Sequence, residues 1–273
     1  RFNVREPSGQ IKLRKMGILE GKKGLIVGIA NKHSIAWGIA KACVKQGAEL
    51  AFSYLEPFES RVRKLAEELG SDQVFELDVT NDDHLKNAPE EIEKRFGKID
   101  FLVHAVAMAK KEELAGRFVD TTRDGFKLAL DVSAWSLIGL TKALMPVMVN
   151  DASVLTISYL GAERVIPNYN VMGVAKAALE SSVKYLANDL GPEEGIRVNA
   201  ISSGPVKTLS ASGIGDFGQV LKWQESTSPL RGNLTLDQLG PTATFLLSDL
   251  SAAITGETVH VDMGYHIMGS ASL

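Results

Sequence analysis

Gly24-Leu25-Ile26-Val27-Gly28-Ile29-Ala30-Asn31-Lys32-His33-Ser34-Ile35-Ala36-Trp37-Gly38 decides how the rest of the chain is read. Its first five residues form a short apolar run with glycine at each end, the pattern of a strand buried on both faces. From Ile35 to Gln46 the period changes. Ile35, Ile39, Ala42 and Cys43 recur at helical spacing, and Gly47 follows where a helix stops. Gly28 and Ala30 leave the backbone bare enough for a phosphate to approach, and Ser34 is placed to cap a helix whose first N–H groups attract an anion. Gly38 predicts close packing of this helix on the strand. The spacing departs from G-x-G-x-x-G, and a plain strand-to-helix turn explains the same residues equally well.

The alternation continues outward. Strands are predicted at Leu50–Tyr54, Val74–Val79, Ile99–Val106, Val154–Ser158, Ile196–Ile201 and Val259–Asp262. Helices are predicted between them at Arg61–Leu69, Asp82–Phe96, Asp124–Val149, Val171–Leu190 and Leu236–Leu247. Strands joined through helices pair in parallel and need cover on both faces. The expected fold is α/β: a single doubly wound domain with a central parallel sheet of about seven strands and helices on both faces. Arg1–Lys15 carries charges, Pro7 and Gly9 but no apolar core, so it does not read as a signal peptide. It reads as an upstream leader or expression remnant, residues 1–15, with Met16-Gly17-Ile18-Leu19 as a natural start and the domain at 16–273.

Composition removes several functions. The 273 residues hold 30 basic and 33 acidic side chains, a net charge of −3, so no global basic footprint for nucleic acid or an anionic membrane is present. The longest apolar region, near Leu128–Val149, is interrupted by Asp131 and Lys142 and is not expected to span a membrane. Cys43 is the sole cysteine, which excludes an internal disulfide and a cysteine zinc cluster, and it is expected as a buried core thiol. His33, His84, His104, His260 and His266 are scattered without ligand spacing, so no metal is expected.

Two strand ends bear on cofactor choice. An acidic residue after the second strand binds a ribose 2′-hydroxyl, whereas arginine there accepts a 2′-phosphate. Leu55 and Glu56 stand at that place, which favours NADH over NADPH. Asp78 and Val79 end the third strand and are placed to bracket an adenine, although an aspartate there also suits an ordinary turn.

The most specific stretch is Ser158-Tyr159-Leu160-Gly161-Ala162-Glu163-Arg164-Val165-Ile166-Pro167-Asn168-Tyr169-Asn170-Val171-Met172-Gly173-Val174-Ala175-Lys176. Tyr159 ends a strand at the sheet edge where ligands bind in open α/β folds. Tyr169 and Lys176 are seven apart, two helical turns, and so share a side. A nearby lysine is expected to lower a tyrosine pKa, and it can donate to ribose hydroxyls. A helix-start tyrosine and a surface lysine would give the same letters.

Together with Gly28…Ser34-Ile35-Ala36 and Arg197-Val198-Asn199-Ala200, this stretch resembles the bacterial enoyl-[acyl-carrier-protein] reductases, a divergent branch of the short-chain dehydrogenase/reductases marked by Tyr-x₆-Lys. The resemblance runs from about Met16 to Gly269. It implies a Rossmann-type fold and reduction of trans-2-enoyl thioesters on acyl carrier protein by NADH, the last step of type II fatty-acid elongation. It implies that Tyr169 stabilises the thioester enolate, Lys176 holds the nicotinamide ribose, and Tyr159 and Ala109 line the acyl site. Gly28, Ser34, Ile35, Leu55, Asp78, Val79, Val106, Val206, Lys207, Thr208, Leu209 and Ser210 match cofactor contacts, and a helical flap is implied near 206–224. A homotetramer in the bacterial cytoplasm is implied as well.

Some positions depart from that pattern. Met108 stands for phenylalanine, Lys110 for proline, Leu55 for a polar residue, Ser203 for alanine and Met263 for glycine. Met108 and Lys110 are expected to flank the substrate mouth. Two rivals remain. Ser158 keeps open a carbonyl or alcohol oxidoreductase of the same superfamily, although His104-Ala105-Val106-Ala107 replaces its Asn-Asn-Ala-Gly. A non-catalytic dinucleotide-binding regulator is compatible with the fold alone.

Overall fold

The computed structural model describes residues 4–5, 11–12, 16–208 and 217–269. The opening stretch folds as read: β1 is Lys23–Val27 and α1 is Ile35–Lys45. There follow β2 (Glu49–Tyr54), α2 (Glu59–Glu68), β3 (Val74–Glu76), α3 (Asp82–Phe96) and β4 (Ile99–His104). The second half holds α4 (Arg123–Leu130), α5 (Ser136–Leu144), β5 (Met148–Ser158), α6 (Asn170–Glu194), β6 (Arg197–Ser203), α7 (Phe217–Thr227), α8 (Leu236–Leu247) and β7 (Thr258–Val261). The seven strands lie in the order β3-β2-β1-β4-β5-β6-β7, every neighbouring pair parallel. A separate two-residue antiparallel pairing joins Val4–Arg5 to Ile11–Lys12.

Alternation within β1 sorts the core into two layers. Leu25 and Val27 join Ile92 of α3, Leu137 and Leu140 of α5 and Val183 of α6 on one face. Ile26, on the other face, joins Ile39 and Cys43 of α1, Val62 of α2 and Leu239 of α8. Sheet and both helical layers therefore bury the strands from each side, which is why they read as continuous apolar runs.

Four expectations are corrected. The predicted helix Asp124–Val149 is a composite of α4, a π turn at Asp131–Trp135, α5 and a 3₁₀ turn at Met145–Val147. Pro146 lies in that last turn, and Met148 already begins β5, six residues before the predicted strand. This helical run, residues 123–147, is long and apolar enough to cross a bilayer by composition, contrary to expectation, but more than half of its apolar stretch is buried in the protein. Gly38 packs α1 against α8 rather than against a strand. A Cβ there would lie 2.7 Å from Leu236 Cβ, and one at Gly240 would lie 2.6 Å from Ala42 Cβ. β3 and β4 also stop short of the predicted Val79 and Val106: Leu77 N and Ala105 N still donate to Tyr54 O and Val27 O at 2.9 Å, and the chain turns away from the sheet after them.

Candidate active site

The chain steps outward from β1 to β3 and then returns to β4, so the connections that leave the paired ends of β1 and β4 part to helices on opposite faces of the sheet. The crevice between them is where doubly wound sheets bind ligands. A cavity of about 740 Å³ opens there, lined by the turn after β1, the ends of β2 to β5, the start of α6 and Val206.

Gly28 leaves β1 with φ +102°, and a Cβ would land on the Ala105 carbonyl. No L side chain fits. Ser34 caps α1 by accepting from Trp37 N at 3.3 Å, while its own hydroxyl donates to Asn31 O at 2.7 Å. Ser34, Ile35 and Ala36 line the cavity, so the positive end of α1 faces it. This bare, N–H-rich cradle fits the pyrophosphate of a dinucleotide.

At the rim beyond β2, Leu55 is followed by Glu56, and Arg61 lies over the Phe58 ring at 5.5 Å. Leu55 and Phe58 line that rim, and Arg63 is held by Glu59 at 2.7 Å with its guanidinium over the Tyr54 ring. Asp78 and Val79 both reach the cavity. The Asp78 carboxylate accepts from Thr80 N at 2.9 Å and Thr80 Oγ1 at 2.7 Å, so this aspartate also builds its own turn. Val106 and Ala109 line the next stretch, beside Met108, which is 52% exposed. Lys111, not Lys110, lines the cavity. Val206 and Thr208 line it too, while exposed Lys207 does not. Leu209 and Ser210 lie outside the described residues, as does the predicted flap from 209 to 216. Val220 of α7 reaches the cavity.

Tyr159, Tyr169 and Lys176 converge on this space. Tyr169 is the N-cap residue of α6 rather than a residue inside it, and Lys176 follows in the second turn. The Tyr159 and Tyr169 rings meet edge to face, 4.9 Å between centroids at 71°. Burial pushes the Tyr159 phenol up to about 12. Tyr169 is raised further, by burial first and then by Tyr159. The expected lowering of Tyr169 by Lys176 is therefore corrected: burial and Tyr159 set the shift, and it runs upward. Lys176 Nζ donates to Ile157 O at 2.6 Å, and burial draws the ammonium down to about 8 against an opposing pull from Glu180.

Several contributors were not apparent from sequence. Buried His104 joins Thr156 Oγ1 at 2.9 Å and Ser136 Oγ at 2.8 Å, tying β4 to β5 and α5. Burial and then Lys176 hold it near 3, hence neutral. Ser133, in the π turn, accepts from Met108 N at 3.0 Å. Gly161 makes room for the Tyr169 ring, 2.5 Å from where its Cβ would lie, and Gly173 for the Gly161 carbonyl at 2.8 Å. The two glycines inside the motif were the available signal for this crowding; the π turn left none. Met263, the departure from glycine, takes φ +62°. Cys43 is fully buried and its thiol is pushed up by burial, as expected of a core residue. Among the described residues no group of three or more His, Cys, Asp or Glu is arranged to hold a metal.

Sheet order, switch-point cavity and phosphate cradle define a doubly wound, Rossmann-type nucleotide-binding protein. A family model for enoyl-(acyl carrier protein) reductase matches residues 28–266, and the chain belongs to that family. It is 53% identical over 258 residues to the NADH enoyl-[acyl-carrier-protein] reductase of Rickettsia felis, covering 94% of this chain and 99% of that one. The Anaplasma phagocytophilum reductase solved with NAD superposes with a TM-score of 0.91 at 52% identity, covering 96% of this chain and all of that one. The Bacillus cereus reductase solved with NADP+ and an indole naphthyridinone gives 0.91 at 51% identity, over 93% of this chain and 100% of that one.

Proposed function

We infer that this chain reduces the carbon–carbon double bond of trans-2-enoyl thioesters carried on acyl carrier protein, with NADH, as the last step of a type II fatty-acid elongation cycle. The observation that carries this reading is the meeting of Tyr169, Tyr159 and Lys176 in the switch-point cavity. NADH supplies the hydride when bound. Gly28, Ser34, Ile35, Asp78, Val79, Val106, Val206 and Thr208 would hold it, with Lys176 donating to ribose hydroxyls. The Tyr169 hydroxyl donates to the thioester carbonyl oxygen, where negative charge grows as the β-carbon is reduced. Tyr159 fixes the ring of Tyr169 from its edge and, with Ala109, walls the acyl site. Leu55 and Glu56 after β2, with Arg63 engaged by Glu59, support a free 2′-hydroxyl and hence NADH over NADPH.

The carbonyl-reductase reading loses its support at Ser158, whose hydroxyl donates to Glu180 and not toward Tyr169. Initial rates of NADH and NADPH oxidation with crotonyl and acetoacetyl thioesters test both points. Preference for the enoyl thioester with NADH is expected, and preference for the keto thioester overturns the assignment.

The same reading places the enzyme in the bacterial cytoplasm as a homotetramer. Outward apolar residues on the 123–147 run and α6 support subunit packing: Phe126, Trp135, Ile138 and Tyr185 are all exposed. We place the start of the catalytic unit at about Met16, since Leu19 is fully buried and its N–H donates to Gln46 O at 3.0 Å.

A further inference from the structure

We infer that Asn170 is a positioning residue that couples the loop lining the acyl site to Tyr169; this rests on the enoyl-reduction reading. The Asn170 side-chain Nδ2 donates to the carbonyls of Ala115 and Gly116, each at 3.3 Å. One amide thus bridges two consecutive peptides of a loop more than fifty residues away in sequence. That loop supplies Met108, Ala109, Lys111 and Leu114 to the cavity wall. Leu114 and Ala109 pack against the cluster formed by Tyr169, Val171 and Met172.

The backbone around Tyr169 is unusual in the same place. Asn168 and Asn170 take φ +60° and +26°, on either side of the tyrosine. Asparagine tolerates such angles better than most residues, but they persist only where surrounding contacts over-determine them. The Asn170 amide supplies such a contact and carries it to the loop. The loop is anchored elsewhere by Ser133 to Met108 N and by buried Glu113, which accepts from Thr122 N at 3.1 Å. The Asn170 anchor sits on the residue directly after Tyr169. Its loss should free the 111–118 segment and spoil the acyl wall, while the dinucleotide cradle on α1 stays intact.

Two variants separate side chain from backbone. Asn170→Gly keeps a residue suited to positive φ and deletes the amide; Asn170→Asp keeps the shape but sets an oxygen against the two carbonyls. Hydrogen exchange of residues 111–118, the KM for a trans-2-enoyl thioester and the Kd for NADH are measured in both. Exchange about tenfold faster and a thioester KM about tenfold higher are expected, with NADH Kd and β5 exchange unchanged. Unchanged exchange and KM overturn the proposal. So does an equal loss of NADH affinity, which marks a general structural defect. A parent enzyme inactive on enoyl thioesters overturns the reaction assignment instead, and the exchange data alone then decide whether Asn170 holds the loop.

Discussion

Tyr159 stands edge-on to Tyr169 at 71°, with 4.9 Å between ring centroids, so the residue that follows β5 and the N-cap residue of α6 share one aromatic contact. The contact holds the Tyr169 hydroxyl in a dry wall of the cavity. A donor fixed before charge develops costs no reorganisation when it does.

Removing that donor should therefore act on chemistry. Tyr169→Phe is expected to lower kcat by about 10²–10³ with little change in NADH binding. Tyr159→Phe keeps the edge contact and should cost much less. Single-turnover rates with an enoyl thioester, alongside NADH titrations, check the split; a near-parental rate in Tyr169→Phe refutes the role given to its hydroxyl.

The pH dependence should belong to Lys176. With the ammonium drawn down to about 8, NADH kcat/KM is expected to fall as pH rises through that value, since only the charged form donates fully. Glu180 opposes the shift, so Glu180→Gln should move the limb to lower pH. The stability effect has the opposite direction. Between about pH 8 and the ordinary lysine value near 10.4, the unfolded chain binds a proton that the folded one has released, so this residue favours folding more as pH rises. An alkaline limb unmoved by Glu180→Gln would exclude Lys176 as its source.

Gly28→Ala should damage the cradle directly. Its φ of +102° and the Ala105 carbonyl together leave no place for a methyl group. NADH Kd is expected to rise at least about tenfold, with a stability loss of about 1–3 kcal/mol. Fluorescence titration and thermal melts read the two effects separately, and parental NADH affinity would show that the turn does not serve the cofactor.

Gly240→Val tests the close approach of α1 and α8. The added bulk meets Ala42 Cβ, 2.6 Å from the first new carbon, so destabilisation of about 1–3 kcal/mol is expected from overpacking. Denaturant midpoints should fall while KM values at the same temperature hold. A parental midpoint would mean that the helices separate without cost.

Much of the fold was legible because its signals are local. A strand buried on both faces shows as Leu25-Ile26-Val27 within five residues, Ser34 caps the helix it precedes, and Tyr169 and Lys176 lie within one motif. Helix α3 at Asp82–Phe96 and helix α8 at Leu236–Leu247 fall where their periodicity puts them. Leu25, in turn, could be read as buried but not assigned neighbours; only the folded sheet sets it between Ala51 and Leu102.

The sequence by itself thus determined the α/β alternation, the parallel sheet and the residue types of the site, since each is carried by a run of near neighbours. Tertiary structure alone decided which groups meet and in what state. Gly38 faces Leu236, His104 is neutral between Thr156 and Ser136, Asn170 reaches Ala115, and burial shifts the Tyr169 phenol upward. The physical reason is common to all four. Contact across distant segments and loss of water on burial arise only when the chain is closed, and desolvation then outweighs the charge effects that spacing alone suggested.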